Sequence, residues 1–160
     1  MKFSKTTLFS GISESDCQKL LQCFQAVTKT YACGDNLLYG YENSGHSRIG
    51  LLISGSINIE RLDVQGNHSI LEQLGKGDIF GETLAFTSRG FNCFTAVCKE
   101  PCTVLFLTYS KMCAVACPAH SIFLNNMFSI LSSKSLRLSE HVEILSNRTI
   151  RDRLMCYFAI

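Results

Sequence analysis

LLISGSINIERLDVQGNHSILEQLGKGDIFGE, residues 51–82, decides the fold class, because short apolar runs alternate in it with turns that contain glycine. Between Ser56 and Arg61, isoleucines 57 and 59 alternate with polar residues, as in a strand with one buried face. Runs of the same kind extend from Tyr31 to about Leu107. The spacing predicts about seven or eight antiparallel strands, and therefore a barrel, a roll or a sandwich.

The segment before these runs, residues 8–30, has the pattern of a helix packed on something larger. Ser13 or Ser15 can cap its start, because a serine hydroxyl accepts from the first free N–H groups of a helix. Apolar residues recur on one face of this predicted helix at Leu20, Leu21, Phe24 and Val27.

The last third of the chain has a heptad pattern, which Pro118 introduces. The heptad positions are Leu124, Phe128, Leu131, Ser135, Leu138, Val142 and Leu145. A seam of this length predicts a long helix that pairs with another helix, and the chain has no second long helix to serve as partner. We therefore expect a parallel homodimer, the alternative being that the seam is core of the monomer. A second apolar row, Phe123, Met127 and Ile130, is predicted to pack back on the strands.

Composition bounds the function. The chain has 160 residues, 46% of them hydrophobic, which is enough for a globular core, and its net charge of +2 lacks the basic patch of a self-sufficient nucleic-acid binder. The N-terminus lacks a signal peptide's apolar core, and no apolar run is long enough to span a membrane. Nine cysteines and four histidines show no metal-ligand spacing. We expect a cytoplasmic protein with free thiols, no metal and no certain cofactor.

Taken in order, the helix, the strands, the motif GDIFGE and the long helix resemble the effector half of the Crp/Fnr family of bacterial transcription regulators. The segments that carry the resemblance are LFSGISESD, YACGDNLLYGYEN, LLISGSINIERLDVQGNHSILEQLGKGDIFGE, KEPCTVLFLTYSKM and LSEHVEILSNRTIRDRLMCYF. The resemblance implies a mainly β fold, a jelly-roll-like double-stranded β-roll of the cyclic-nucleotide-binding type with flanking helices. It also implies a β-roll sensor domain over 1–117, a dimerisation helix over 118–146, and at 147–160 the start of a segment that leads to a winged helix-turn-helix. That DNA-binding module is absent from this chain, so we expect either a piece of a longer regulator or a stand-alone sensor.

The resemblance also implies a ligand site. In relatives that bind cyclic nucleotides, the equivalents of Gly81 and Glu82 start a short helix that faces the cyclic phosphate, and the glutamate accepts from the ribose 2′-hydroxyl. Helix N-termini attract anions, so the arrangement is physically sound, and Thr83 follows directly. An acid at a helix start also favours the helix dipole with no ligand present.

The family's arginine and serine for the phosphate fall on Asn92 and Cys93, counted back from the next strand. Losing a charge-assisted hydrogen bond costs about 1.5–3 kcal/mol, so we predict weak binding of cyclic AMP itself. Arg89 is the cation nearby, and a small loop shift would bring it inward. Ser135 resembles the base-facing hydroxyl that relatives supply from the long helix. The predicted effector is a small molecule, cyclic-nucleotide-like or another anion.

These observations predict a regulatory protein and not an enzyme. Effector binding in the β-roll is expected to move the dimer helix and, through it, a DNA-binding domain. Two other classes stay open from the residues alone. A cupin-type enzyme needs clustered histidines to hold a metal, and a redox sensor needs a reactive thiol, for which Cys93 is the candidate.

Overall fold

The computed structural model describes residues 6–37, 48–62, 68–82, 94–114 and 118–159, and in them the strands form two antiparallel sheets. The strands are β1 (Val27–Tyr31), β2 (Arg48–Ser54), β3 (Ile57–Leu62), β4 (His68–Leu74), β5 (Ile79–Phe80), β6 (Phe94–Cys98) and β7 (Cys102–Thr108). The first sheet has the order β1, β7, β2, β5, and the second sheet has the order β4, β3, β6. The two sheets form the predicted β-roll, whose flanking helices are described below.

The N-terminal helix is shorter than predicted. Thr7–Phe9 forms a 3-10 turn, and α1 (Glu14–Cys23) begins where the hydroxyl of Ser13 accepts from the N–H of Asp16. The helix ends at Phe24, because Gln25 takes a left-handed φ of 51° and the Ala26 N–H donates to the carbonyl of Leu21 at 2.9 Å. The prediction of one helix over 8–30 is therefore wrong at both ends, and its last residues form β1, where β-branched residues favour a strand.

Strand β2 is buried on both faces and separates two hydrophobic clusters. In the first cluster, Ile49, Leu51 and Ile53 point toward the helices. In the second cluster, Leu52 points toward the second sheet. β7 alternates in the same way, with Leu105 among the side chains that face the helices. A strand covered on both sides has an apolar run without polar alternation, which is what RIGLLIS shows.

Two helices follow β7. α2 (Tyr109–Met112) is a single turn, and α3 (Pro118–Ser146), the long helix, begins at the predicted proline. Its inner row packs on the first cluster as predicted: Phe123 is fully buried, Met127 is 5% exposed, and Ile130 is half-buried. The long helix therefore lies against the 3-10 turn, α1 and the first sheet.

α4 (Ile150–Ala159) follows the long helix after three residues and contacts it. Thr149 caps it, since its Oγ1 accepts from the Asp152 N–H at 3.1 Å, and Arg153 Nε donates to the Asn147 carbonyl at 2.9 Å. In the described ranges, no helix has the length and apolar character needed to cross a bilayer.

Candidate functional site

The candidate site lies at the end of β5, which is held by aromatic packing. β5 pairs with β2 opposite Gly50, and a Cβ at residue 50 would lie 2.4 Å from the ring of Phe80. Only glycine fits there. On its other side, the Phe80 ring meets Phe106 edge-on, with centroids 6.1 Å apart. β5 is therefore fixed against β2 by pairing and against Phe106 of β7 by its aromatic ring, and so is the start of the chain that leaves it.

The next two residues turn the backbone into the site. Gly81 has a φ of 79°, in the left-handed region that glycine adopts without strain. Glu82 follows with helical geometry, and its side chain is only 14% exposed. The glycine thus directs a largely buried carboxylate back toward the long helix.

Lys134 of the long helix is the cation that meets this carboxylate. Its Nζ donates to Oε1 of Glu82 at 2.9 Å and to the carbonyl oxygen of Ile79 at 2.8 Å. Oε2 of Glu72, on β4, lies 3.6 Å from the same nitrogen. With its side chain 16% exposed, Lys134 joins the long helix to β4 and β5 at one point.

One acceptor at the site has no partner. Oε2 of Glu82 is buried and receives no hydrogen bond from any part of the chain that the structure describes. A buried acceptor without a donor costs about 1–3 kcal/mol, so this oxygen favours a ligand hydroxyl or N–H. Among the described residues, the ammonium of Lys134 meets two carboxylates, Glu72 and Glu82, which also favours a donor at this oxygen.

Three of the residues predicted for the site are described. Gly81 and Glu82 stand together at the end of β5, and Ser135 is exposed on the long helix, next to Lys134. The other four lie outside the described residues: Thr83, Arg89, Asn92 and Cys93. The site predicted from the resemblance is therefore located on the fold by its first two residues and the helix opposite.

Lys134 and Glu72 were not among the predicted site residues, although the sequence carries a signal for Lys134. Phe123, Met127 and Ile130 form the inner row at spacings of four and three, and the next member of that row is residue 134. It is also the first charged side chain after Pro118. A lone charge that continues a buried row predicts a buried ionic partner.

Other chemistry in the described residues is limited. Across residues 6–37, 48–62, 68–82, 94–114 and 118–159, no group of three or more His, Cys, Asp or Glu side chains is placed to hold a metal. Burial and a hydrogen bond with Cys102 raise the pKa of the Cys98 thiol to about 12. A thiol with so high a pKa is a poor nucleophile at neutral pH, because the thiolate is the reactive form.

Comparisons with known proteins bear on the fold described above. No curated protein sequence gives a significant match. The catabolite activator protein of Thermus thermophilus superposes with a TM-score of 0.68 and 21% identity over 88% of this chain, which spans 63% of that protein's length. The sensor domain of the transcriptional regulator DNR from Pseudomonas aeruginosa gives a TM-score of 0.57 and 21% identity, covering 92% of this chain and 91% of that domain.

A third structure, oxidized CprK in complex with o-chlorophenolacetic acid, gives a TM-score of 0.61 and 14% identity, covering 80% of this chain and 51% of that one. These similarities show a common fold, that of Crp/Fnr-type regulators. The model of the cyclic nucleotide-binding domain matches residues 29–115, more than half of the 160 residues. The chain therefore belongs to the cyclic nucleotide-binding domain family.

Proposed function

We propose that the chain is the effector-sensing and dimerising part of a Crp/Fnr-type DNA-binding transcription regulator, and that it is not an enzyme. The observation that carries the proposal is the contact between Glu82, at the candidate ligand site, and Lys134, on the long helix. A ligand that binds at Glu82 changes the surroundings of a helix residue. Ligand binding and helix position are therefore coupled, as a sensor requires. The fold shared with an activator protein and a regulator's sensor domain supports the proposal.

The long helix is proposed to form a parallel homodimer. Of its heptad residues, Phe128, Leu138, Val142 and Leu145 are each 59% exposed or more, while Leu124 and Leu131 pack partly on the first cluster. Apolar side chains at heptad spacing pack well against a second copy of the same seam. In a parallel pair the two helix ends lie side by side, where a ligand-driven change in the helices would reposition DNA-binding domains that follow them.

The effector is proposed to bind between the end of β5 and the long helix. Its proposed contacts are Gly81, Glu82, Thr83, Arg89, Asn92, Cys93 and Ser135. Because Asn92 stands where relatives have the phosphate-binding arginine, we expect cyclic AMP to bind weakly. The aromatic acid bound by CprK is an example of a different ligand class on a similar fold. Aromatic carboxylic acids therefore belong in the first ligand tests, beside cyclic nucleotides.

Two measurements test the sensor and the dimer. Thermal melts with cyclic AMP, cyclic GMP and o-chlorophenolacetic acid should identify a ligand class, since a ligand at 100 times its Kd adds about 2.7 kcal/mol of stability. A hit should be weakened by Glu82→Gln and unaffected by Glu100→Gln, an exposed glutamate outside the site. Sedimentation equilibrium should give a dimer at micromolar concentration. A monomer at every concentration, with no ligand among a broad panel, would contradict the proposal.

The proposed DNA binding is tested with the full product of the gene. Gel shifts with DNA upstream of the protein's own gene and its neighbours should show binding that depends on the effector found above. If that protein ignores all such DNA with every effector tried, the role in transcription is excluded and a stand-alone sensor remains.

A further inference from the structure

We propose that Lys134 is a latch, a positioning residue whose ammonium occupies Glu82 in the ligand-free protein and holds the outer part of the long helix to the β-roll. This inference rests on the proposed function, since it states how that sensor site is regulated. Because of this ion pair, the group that is bound to Glu82 and the position of the long helix change together. A ligand that takes Glu82 with its own donor competes with Lys134 and loosens the helix from that point onward.

The geometry of the ammonium supports a latch over a chance surface pair. Lys134 offers three N–H donors. Its acceptors are Ile79 of β5 and Glu82, just after β5, at hydrogen-bond distance, with Glu72 of β4 at 3.6 Å. The side chains of Lys134 and Glu82 are 16% and 14% exposed, so solvent screens this pair little. Exposed ion pairs contribute little to stability, whereas breaking a buried one leaves an uncompensated charge.

The place of Lys134 along the helix makes it a control point. Before it, the helix is fixed by Phe123, by Met127 and by Asn126, whose amide donates to the carbonyls of Leu8 and Ser10. Among the described hydrogen bonds and ion pairs between the long helix and the strands, those of Lys134 lie farthest along the helix. The residues after it, 135–146, project by about 18 Å at 1.5 Å per residue. Loss of the Lys134 contacts would therefore free a helical segment of this length.

Glu82 has a reason to exchange partners. Only Oε1 accepts from Lys134, and the buried Oε2 has no donor among the described residues. A ligand donor at Oε2 would satisfy that oxygen and weaken the hold of the carboxylate on the ammonium. Within the described part of the chain, Glu82 thus has an incomplete set of hydrogen bonds, which a bound donor can complete.

The test is amide hydrogen exchange, read by mass spectrometry on the whole chain without ligand. Lys134→Met keeps the length of the side chain and removes its charge, and Glu82→Gln removes the charge of its partner. Each should raise exchange across 135–146 by about tenfold or more, while amides of β2 and β7 keep the rates of the wild type. Lys134→Arg, which keeps a cation, should restore most of the protection. Lys111→Met and Glu100→Gln, both exposed, are the matched controls and should change nothing.

The double variant tests whether Lys134 and Glu82 act through their contact with each other. If Lys134 acts through Glu82, the Lys134→Met/Glu82→Gln protein should exchange at the rate of either single variant. Independent, multiplying effects would overturn the latch, as would unchanged exchange across 135–146 in Lys134→Met. A rise in β2 and β7 as well would show general loss of stability and would also overturn it. None of these outcomes depends on finding an effector, and exchange is compared at a concentration below dimerisation, so the latch and the proposed function can fail separately.

Discussion

The two halves of the long helix have similar apolar content and opposite surroundings. Within 118–134, the inner row is buried against the 3-10 turn, α1 and the first sheet, and it ends on the buried ammonium of Lys134. Within 135–146, Leu136, Leu138 and Leu145 are each 65% exposed. The first half buries its inner row inside the monomer, whereas the second half leaves most of its apolar side chains exposed to water.

This difference separates two roles that one helix performs. Burial in the first half anchors the helix to its own β-roll, and exposure in the second half, at heptad spacing, is what a partner helix would cover. Phe128 shows the boundary well, because it lies one residue from buried Met127 and is itself 63% exposed. In the proposed dimer, Met127 thus packs inside its own protomer, whereas Phe128 is available to the partner helix.

The largest expected effect comes from a matched pair of phenylalanines. Phe123→Ala should lower the free energy of unfolding by about 3–5 kcal/mol, the usual cost of deleting a fully buried ring. Phe128→Ala should leave the unfolding of the monomer nearly unchanged, because its ring already lies largely in water. Urea unfolding at a concentration below dimerisation measures both. Equal losses in the two variants would break the contrast between the faces.

A seam leucine gives the next largest effect, on association. Leu138→Ala should remove about 1.5 kcal/mol per protomer, the lower end for burying a leucine, and so raise the dimer dissociation constant about 100-fold. Its exposed neighbour Ser139, which lies off the heptad, is the control as Ser139→Ala. Sedimentation equilibrium measures both constants. A dimer that tolerates Leu138→Ala as well as Ser139→Ala would not use this seam.

The outline of this contrast could be predicted from local sequence. The spacing of three and four identified both rows of the helix, and Pro118 marked its start, because these signals depend only on helix geometry. The helix predicted over 8–30 was wrong, since Gln25 has no sequence mark of a left-handed residue, and the β-branched residues after it pair with β7. The local sequence pattern around residues 27–30 carries no information about the pairing of β1 with β7.

The candidate site was less predictable for a similar reason. Gly81 and Glu82 belong to a recognisable motif, but the pair between Glu82 and Lys134 joins residues 52 apart in sequence. No local period relates two such positions. The inner helix row could have suggested that Lys134 is buried, yet its partner follows only from the fold.

A smaller effect is expected from two neighbouring asparagines on the anchored half. Asn126 Nδ2 donates to the carbonyl of Ser10 at 2.8 Å and to that of Leu8 at 3.1 Å, tying the helix to the 3-10 turn. Asn126→Ala should cost about 1–2 kcal/mol, because it leaves two carbonyls without this donor. Asn125 is exposed, and Asn125→Ala should cost less than about 0.5 kcal/mol. Thermal unfolding of the two proteins compares them, and equal melting temperatures would contradict the anchor.

The smallest effect is expected from a buried thiol, that of Cys98, on stability at alkaline pH. The pKa of Cys98 is raised from an ordinary 9.0 to about 12, chiefly by burial, so the folded protein holds this proton more tightly than the unfolded chain. Its contribution to stability is complete below pH 9 and is lost progressively as the pH rises toward 12. Cys98→Ser should flatten this alkaline decline, measured by urea unfolding from about pH 8 upward.

Access provides an independent check on the same thiol. Cys98 is 2% exposed, whereas Cys23 is exposed on α1. At neutral pH iodoacetamide should modify Cys23 well before Cys98, as mass spectrometry of peptides from the native protein can show. Equal labelling would mean that Cys98 is more open than its burial indicates.

The ring of Phe123 has a consequence for synthesis of the protein. Its centroid lies 5.4 Å from that of Phe9 and 4.9 Å from that of Phe24, so one late residue completes the aromatic cluster of the N-terminal segment. A nascent chain emerges from the ribosome N-terminus first, and until residue 123 appears both early rings lack this neighbour. The N-terminal turn and α1 therefore cannot reach their final packing until residue 123 has been synthesised.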